Sequence, residues 1–107
     1  MEPDVTVVEL TGHLNLGNEL MSLEAAVKRL IQEGSRKLLI DLTRLDYIDS
    51  AGIGMLVGCH GQMDRAGGKM RVAGAQGSVS KAFDVVHLDR IMPLDADADA
   101  ALGNLKG

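Results

Sequence analysis

Ser50 is the residue best placed for chemistry, because it directly follows Asp49 and precedes a glycine-rich stretch. A serine nucleophile in a hydrolase usually lies in a G-x-S-x-G turn, but the residue two positions before Ser50 is Ile48. The histidines that could act as its base lie on separate predicted elements, at His13, His60 and His87. We therefore expect Ser50 to serve a purpose other than nucleophilic catalysis, and we expect no enzyme.

A metal site is not predicted either. The three histidines and the single cysteine, Cys59, do not occur at the paired spacings of zinc ligands. Asp95, Asp97 and Asp99 superficially resemble a calcium-binding loop. Such a loop also needs a glycine and a distal glutamate, which are missing here. Helix capping and solvation explain these aspartates better, and we expect no bound metal.

The glycines Gly52, Gly54 and Gly58 loosely resemble the fingerprint of a dinucleotide-binding loop. In that motif an acidic residue closes the following strand, whereas the next predicted strand here ends at Ala73-Gly74. The P-loop pattern is also absent from the sequence. Nucleotide binding is therefore not predicted, and no cofactor is expected.

Composition and charge exclude further classes. The 107 residues fit a single domain over residues 1–107, and a hydrophobic content of 46% can build one core. A net charge of −4 argues against a nucleic-acid partner, which would need a basic face. No apolar run reaches the roughly 18 residues of a membrane span, so we expect no membrane insertion. The acidic start and the lone cysteine favour a cytoplasmic location.

The hydrophobic pattern predicts strands that alternate with helices. The β-branched residues at positions 4–11 predict a first strand, which Gly12 ends. After a loop at 14–17, apolar residues at helical spacing predict a helix that Gly34 terminates. The run Lys37–Leu42 predicts a buried strand. The apolar positions of the helix are Leu20, Leu23, Val27, Leu30 and Ile31.

The stretch after this strand leads to Ser50. It predicts a polar turn at Thr43-Arg44, a short extended piece at 46–49 and a helix at 51–66. Ser50 can cap that helix, because its hydroxyl can accept a hydrogen bond from an unpaired N–H of the first turn. The same position would expose the hydroxyl at the positive end of the helix dipole, where it could be modified.

The predicted helix at 51–66 has two distinct faces. The predicted core face consists of Ile53, Leu56, His60 and Met63. The second face carries almost no side chains and consists of Ala51, Gly54, Gly58 and Gly61. Glycine in a helix costs roughly 1 kcal/mol relative to alanine, so this face suggests that something packs very close to it. A neighbouring element of the same domain or a partner protein would each explain it.

The remaining sequence predicts a strand at 69–73, a helix capped by Ser78, a short strand at 91–94 and a final helix. Pro93 lacks an N–H, so the last strand is expected at a sheet edge. In the strand at 69–73, the inward side chains would be Met70 and Val72. The helix after Ser78 would bury Val79, Ala82, Phe83 and Val86. The final helix would begin at Asp95, Asp97 and Asp99 and carry the apolar residues Ala98, Ala101, Leu102 and Leu105.

This order of elements predicts the fold class. Strands that alternate with helices imply right-handed crossovers and a mostly parallel sheet covered by helices. The predicted class is therefore α/β. The first strand has no predicted partner on its outer side, so either the true start of the chain lies upstream or this edge is paired in an oligomer.

The segment Ile48-Asp49-Ser50-Ala51-Gly52-Ile53-Gly54 resembles the signature of the STAS family, the sulphate-transporter and anti-sigma-factor-antagonist domain. The similarity covers nearly the whole chain, including Leu10-Thr11-Gly12, Gly67-Gly68-Lys69 and Lys81-Ala82-Phe83. It implies one domain with a small mixed, mostly parallel sheet and helices mainly on one face. Many members begin with one more strand, which is missing or truncated before Val5 here.

The resemblance also implies a function. In the bacterial anti-sigma factor antagonists of this family, a partner that is both anti-sigma factor and kinase phosphorylates the serine after the aspartate. Ser50 is then the phosphoacceptor, the unphosphorylated form binds the partner, and phosphorylation releases it; a serine phosphatase would be a second partner. Asn15 stands where antagonists often have an acidic residue, and Ala51 where many have a second serine. The implied partner-binding residues are Asn15, Asp49, Ser50, Ala51, Gly52, Gly54 and Gly58.

A second function lies within the same resemblance. Some STAS domains are never phosphorylated and act as assembly modules in transporters or in stress-sensing complexes. In that case Ser50 would only cap a helix, and the glycine face would be a constitutive docking surface. Phosphorylation by a partner kinase would favour the first function. A stable complex that tolerates Ser50→Asp would favour the second.

Overall fold

A computed structural model describes residues 5–14 and 18–106, and of residues 18–20 only the backbone. The predicted contact residue Asn15 and the loop at 15–17 lie outside these residues. The helices and strands, with a short 3₁₀ turn at Leu88–Arg90, are β1 (Thr6–Leu14), α1 (Asn18–Gln32), β2 (Lys37–Ile48), α2 (Ser50–Arg65), β3 (Lys69–Ala73), α3 (Gly77–Val85), β4 (Leu94–Asp95) and α4 (Ala98–Lys106).

The four described strands form one sheet in the order β1-β2-β3-β4, and each neighbouring pair is parallel. Three helices, α1, α2 and α3, pack on one face, and α4 packs on the other. The predicted α/β class, with helices mainly on one face, is therefore confirmed. The outer edge of β1 has no partner strand within 5–14 and 18–106, so the explanations offered for that edge stay predictions. None of the described helices is long and apolar enough to cross a bilayer.

The core follows from the alternation of side chains along β2, a central strand that is buried on both faces. Leu38 and Ile40 join the large core beneath the three helices, whereas Leu39 points to the other face and packs with Ala101 and Leu105 of α4. The predicted inward residues of β3, Met70 and Val72, are both buried.

The first two strands are longer than the sequence predicted. Gly12 does not end β1, and the predicted turn at Thr43-Arg44 is instead part of a β-bulge inside β2, which carries a second bulge between Leu45 and Tyr47. Glu9 pairs with Asp41 but Thr11 pairs with Arg44, so β2 carries an extra residue there. The Asp41 carboxylate accepts hydrogen bonds from the Thr43 N–H at 3.0 Å and the Thr43 hydroxyl at 2.6 Å. Gly12 accommodates the irregularity with a φ of +73°.

Two predictions about α3 are wrong. Its N-cap is Gln76 rather than Ser78. The Ser78 hydroxyl instead donates a hydrogen bond of 2.8 Å to the carbonyl of Asp46, which fastens α3 to the end of β2. Val79 and Phe83 are buried as predicted, and Ala82 is half-buried. Val86 is 42% exposed, because α3 ends at Val85 and Val86 no longer continues the buried helical face.

The C-terminal elements are partly as predicted. The last strand lies at the sheet edge, but it is Leu94–Asp95 and follows Pro93 instead of containing it. Asp95 belongs to this strand, and its carboxylate accepts from the Arg71 guanidinium at 2.5 and 3.1 Å. Asp97 stands just before α4, where its carboxylate accepts from the Ala100 N–H at 2.9 Å.

Candidate functional site

Ser50 lies where β2 ends and α2 begins, at the carboxyl edge of the sheet, and its side chain is exposed. The prediction that Ser50 caps α2 is wrong, because the N-cap is Asp49. Its backbone is extended, with φ −108° and ψ −177°, and its Oδ1 accepts a 2.8 Å hydrogen bond from the Gly52 N–H. Ser50 is the first helical residue, and its hydroxyl is not used as the cap.

The start of α2 is held against the end of β1. The Asp49 N–H donates to the carbonyl of Leu14 at 3.3 Å, and Leu14 is itself buried. A Cβ placed on Gly52 would collide with that same carbonyl and would lie 2.7 Å from Cγ1 of Ile48. Only glycine fits this contact without a shift of the backbone. The position of Ser50 is therefore set by its neighbours Asp49 and Gly52.

The buried face of α2 differs from the predicted core face. Leu56 and Met63 are buried as predicted, but Ile53 and His60 are only half-buried. The buried residues are Gly52, Leu56, Cys59 and Met63. Compared with the prediction, the buried face is shifted by about one residue, with Gly52 and Cys59 in place of Ile53 and His60. The hydrophobic pattern did not indicate this shift, because glycine has no side chain that would mark its burial.

The small-residue face of α2 is open at its centre. Gly54 and Gly58 are exposed, and a Cβ on either would meet no atom within 4 Å. A neighbouring element of the same domain therefore does not account for these two glycines among the described residues. Ala51 is half-buried against the core, and Gly61 lies under the guanidinium of Arg65. The open part of the face is continuous with Ser50, four residues before Gly54.

One aromatic pair, His13 with Tyr47, includes a residue close to Ser50 along the chain and was not predicted from the sequence. The rings of His13 and Tyr47 meet edge to face with centroids 5.7 Å apart, at the ends of β1 and β2. Tyr47 is 45% exposed, three positions before Ser50. The pairing depends on the two bulges in β2, so the separation of the two residues along the chain does not predict it.

The other candidate chemical groups are not assembled into a site. Cys59 is buried, and this burial raises the pKa of its thiol to about 11, with a smaller contribution from Glu24 and an opposing one from Lys28. A thiol that is protonated and buried is a poor nucleophile. Within 5–14 and 18–106, no three His, Cys, Asp or Glu side chains come together as a metal site.

Known proteins share both the sequence pattern and the fold. A family model described as the STAS domain matches residues 1–101. The anti-sigma F factor antagonist of Paenibacillus polymyxa is 28% identical over 105 residues, which cover 95% of this chain and 87% of that protein. An anti-sigma factor antagonist structure from Mycobacterium paratuberculosis superposes with a TM-score of 0.83 at 21% identity, over 100% of this chain and 90% of that one.

A third relative has been solved in two chemical states. The anti-sigma factor antagonist SpoIIAA in its unphosphorylated form superposes with a TM-score of 0.75 at 18% identity, over 100% of this chain and 94% of that one. The phosphorylated form of SpoIIAA from Bacillus gives 0.72 at 21% identity, over 96% and 92%. At these identities the superpositions establish the fold.

Proposed function

The chain belongs to the STAS domain family, and on that premise we propose that it is an anti-sigma factor antagonist controlled by phosphorylation of Ser50. Unphosphorylated, it binds an anti-sigma factor that is also a serine kinase, and it thereby frees a sigma factor. Once Ser50 carries a phosphate, the complex dissociates. The chain acts as a protein-binding regulator in the cytoplasm, and a serine phosphatase restores the binding form.

The observation that carries this proposal is that Ser50 is exposed, while its neighbours Asp49 and Gly52 make the structural contacts at the start of α2. Asp49 supplies the helix cap and Gly52 supplies the close contact with β1, so the Ser50 hydroxyl is left at the surface. A kinase can reach this hydroxyl without disturbing the core. Antagonist names among the relatives, and the two phosphorylation states of SpoIIAA, support the same assignment.

The physics of the phosphate accounts for the switch. A phosphate adds about −1.5 to −2 charges at neutral pH. At the first residue of α2 the helix dipole favours this charge, so the fold should survive it. The phosphate would lie next to the Asp49 carboxylate, at the N-terminal end of the open face formed by Gly54 and Gly58, where a partner would bind. It would block close approach to that face and repel negative groups.

The second candidate is an assembly module that is never phosphorylated. The open glycine face favours it equally, because a constitutive partner would need the same bare surface. Here Ser50 would only begin the helix. The two functions differ in one observable, which is whether modification of Ser50 changes binding.

Intact-mass and phosphopeptide analysis tests the proposal. The protein is incubated with ATP and each candidate anti-sigma kinase, alongside the variants Ser50→Ala and Ser22→Ala. Ser22 is a matched control, because it is also exposed in an early turn of a helix. We expect one added phosphate in the wild type and in Ser22→Ala, and none in Ser50→Ala. A folded wild-type protein that no candidate kinase modifies would instead support the assembly module.

A further inference from the structure

The two edges of the sheet differ in how well they are protected. β4 is only two residues long and follows Pro93, so it offers few backbone groups to another strand. β1 is nine residues long, contains neither proline nor lysine, and has no strand on its outer side within 5–14 and 18–106. The extra residues of both β-bulges belong to β2, so β1 continues unbroken along this edge. Its outward N–H and C=O groups can therefore pair with another extended chain.

An apolar groove lies beside this edge, between β1 and α1, with a volume of about 450 Å³. Val8 and Leu10 reach it from β1 but are only half-buried. Gly12 is next in the same row and has no side chain, and a Cβ on it would meet no atom within 4 Å. Apolar surface therefore stays open next to backbone groups that can pair, and one further strand would cover both. The apolar side chains that line the groove are Val8, Leu10, Leu14, Leu23, Ala26 and Leu45.

The side chains of β1 alternate between two faces of the sheet. Even-numbered side chains from Val8 to Leu14 are apolar and lie on the face of the three helices. Odd-numbered side chains from Glu9 to His13 are polar and exposed on the opposite face. In an antiparallel pair of strands, residues directly opposite each other project to the same face. Antiparallel pairing of two β1 strands can therefore set polar side chains against polar ones and apolar side chains against apolar ones.

On the polar face, one antiparallel register pairs an acid with an imidazole. When Thr11 lies on the two-fold axis, Glu9 stands opposite His13 of the second copy. Such cross-strand pairs stabilise a sheet, and an imidazole N–H can donate to a carboxylate. An axis at Leu10 loses this pair, and an axis at Glu9 brings two carboxylates face to face. Complementarity of charge within this single strand identifies a second copy of the chain as the occupant of the edge.

The apolar face of the same register is also complementary. Leu10 stands opposite Gly12 of the second copy, at the position where the groove has no side chain to fill it. Val8 stands opposite Leu14 of the second copy, so an apolar side chain again meets an apolar one. Because the contact has two-fold symmetry, each of these pairs occurs twice and both grooves are covered.

We propose that a second copy of this chain binds along the outer edge of β1, with Thr11 on a two-fold axis, so that two four-stranded sheets become one continuous sheet. The Cα atoms of the two Thr11 residues then lie about 4.5–5.5 Å apart, as in any antiparallel pair. Ser50 and the open face of α2 do not belong to this edge. The dimer is therefore independent of the function proposed above.

Sedimentation velocity over a concentration series of the full chain tests the dimer. His13→Glu places a carboxylate opposite Glu9 of the second copy, twice in each dimer, and we expect it to raise the dissociation constant at least tenfold. The double variant Glu9→Lys/His13→Glu restores opposite charges and should dimerise within threefold of the wild type. Gln32→Glu is the matched control, because it adds the same charge at an exposed position on the side of α1 towards α2. We expect this control to dimerise within twofold of the wild type.

Cross-linking locates the axis without a change of charge. Thr11→Cys should form a disulfide between two copies under mild oxidation, because the expected Cα separation is within disulfide range. Ala100→Cys is the matched control, since Ala100 is also exposed but lies on α4. We expect Thr11→Cys to cross-link at least tenfold faster. The native Cys59 is buried and does not compete.

A wild-type chain that stays monomeric at its highest soluble concentration would overturn the proposal. A dimer that His13→Glu does not weaken would overturn it as well, because the contact would then lie on another surface. Failure of the double variant to dimerise, or equal cross-linking of Thr11→Cys and Ala100→Cys, would reject the Thr11 axis. Circular dichroism checks the fold of every variant, and if His13→Glu did not fold, the cross-linking rates would decide.

Discussion

The two sides of α2 use glycine for opposite reasons. On the buried side, Gly52 is in contact with the carbonyl of Leu14, and an added Cβ would collide with it. On the open side, a Cβ added to Gly54 or Gly58 would meet no atom within 4 Å and would be tolerated. One helix therefore has a glycine that the fold requires and two that the described domain does not need. Since glycine weakens a helix, the second pair suggests a requirement that lies outside the domain.

The strongest test of this difference is Gly52→Ala. The added methyl group would meet backbone atoms of β1, which cannot move aside as a flexible side chain can. Overpacking of this kind costs about 1–3 kcal/mol, so the free energy of unfolding should fall by that amount. Urea denaturation followed by circular dichroism measures it. Unchanged stability would mean that β1 and α2 are not packed this closely.

Asp49→Ala tests the N-cap of α2, which lies directly before Ser50. It removes the acceptor of the 2.8 Å hydrogen bond from the Gly52 N–H. Loss of such a cap costs about 1 kcal/mol. The matched variant Ser50→Ala should change stability by less than half of that, because Ser50 is not the cap. If Ser50→Ala proved the more damaging of the two in thermal unfolding, the assignment of the cap would be wrong.

Gly54→Ala and Gly58→Ala test the open side, and here the expected sign is reversed. Each should stabilise the isolated protein by up to about 1 kcal/mol, because alanine is the better helix former and space is available. Gly103→Ala on α4 is the internal reference, since it also faces open space. A loss of stability at 54 or 58, with a gain at 103, would show that the domain itself packs against that face.

Cys59, on the buried side of α2, should have the smallest effect on stability near neutral pH, and its effect should appear only at high pH. Burial raises the pKa of this thiol from 9.0 to about 11, so the folded state favours the protonated form. Its contribution to stability is complete below pH 9 and is lost as the pH rises from 9 towards 11. The loss is at most about 1.4 kcal/mol per pH unit. Cys59→Ala should lack this component when unfolding free energies are measured from pH 8 to 11.

Much of the fold could be predicted because its signals are local. The helical spacing of Leu23 and Val27, and the apolar run of β2, each point to one structure. The misplaced features depend on contacts between distant residues. Asp49 and Ser50 are both good caps in sequence, and the hydrogen bond from Asp49 to Leu14, 35 residues earlier, accompanies the choice of Asp49 in the structure. The polar pair Thr43-Arg44 resembles a turn, and only pairing with β1 makes it a bulge.

The candidate site also combines features that the sequence can predict with features that depend on contacts between distant residues. The sequence predicts Ser50 and the glycine face as candidate site residues, because these residue types stand out in any helix. It did not distinguish Gly52 from Gly54, since a buried glycine and an exposed one are the same letter. The contact between the rings of His13 and Tyr47 was also beyond the sequence, because only the bulged pairing of β1 with β2 brings the two residues together.

The central claim is that the open side of α2 binds a partner and that Ser50 controls this binding. Calorimetric titration of one anti-sigma factor with the unphosphorylated protein, and then with the protein phosphorylated at Ser50, tests it most directly. We predict that the phosphorylated form binds at least tenfold more weakly while its thermal unfolding is unchanged. Equal dissociation constants for the two forms would contradict the claim.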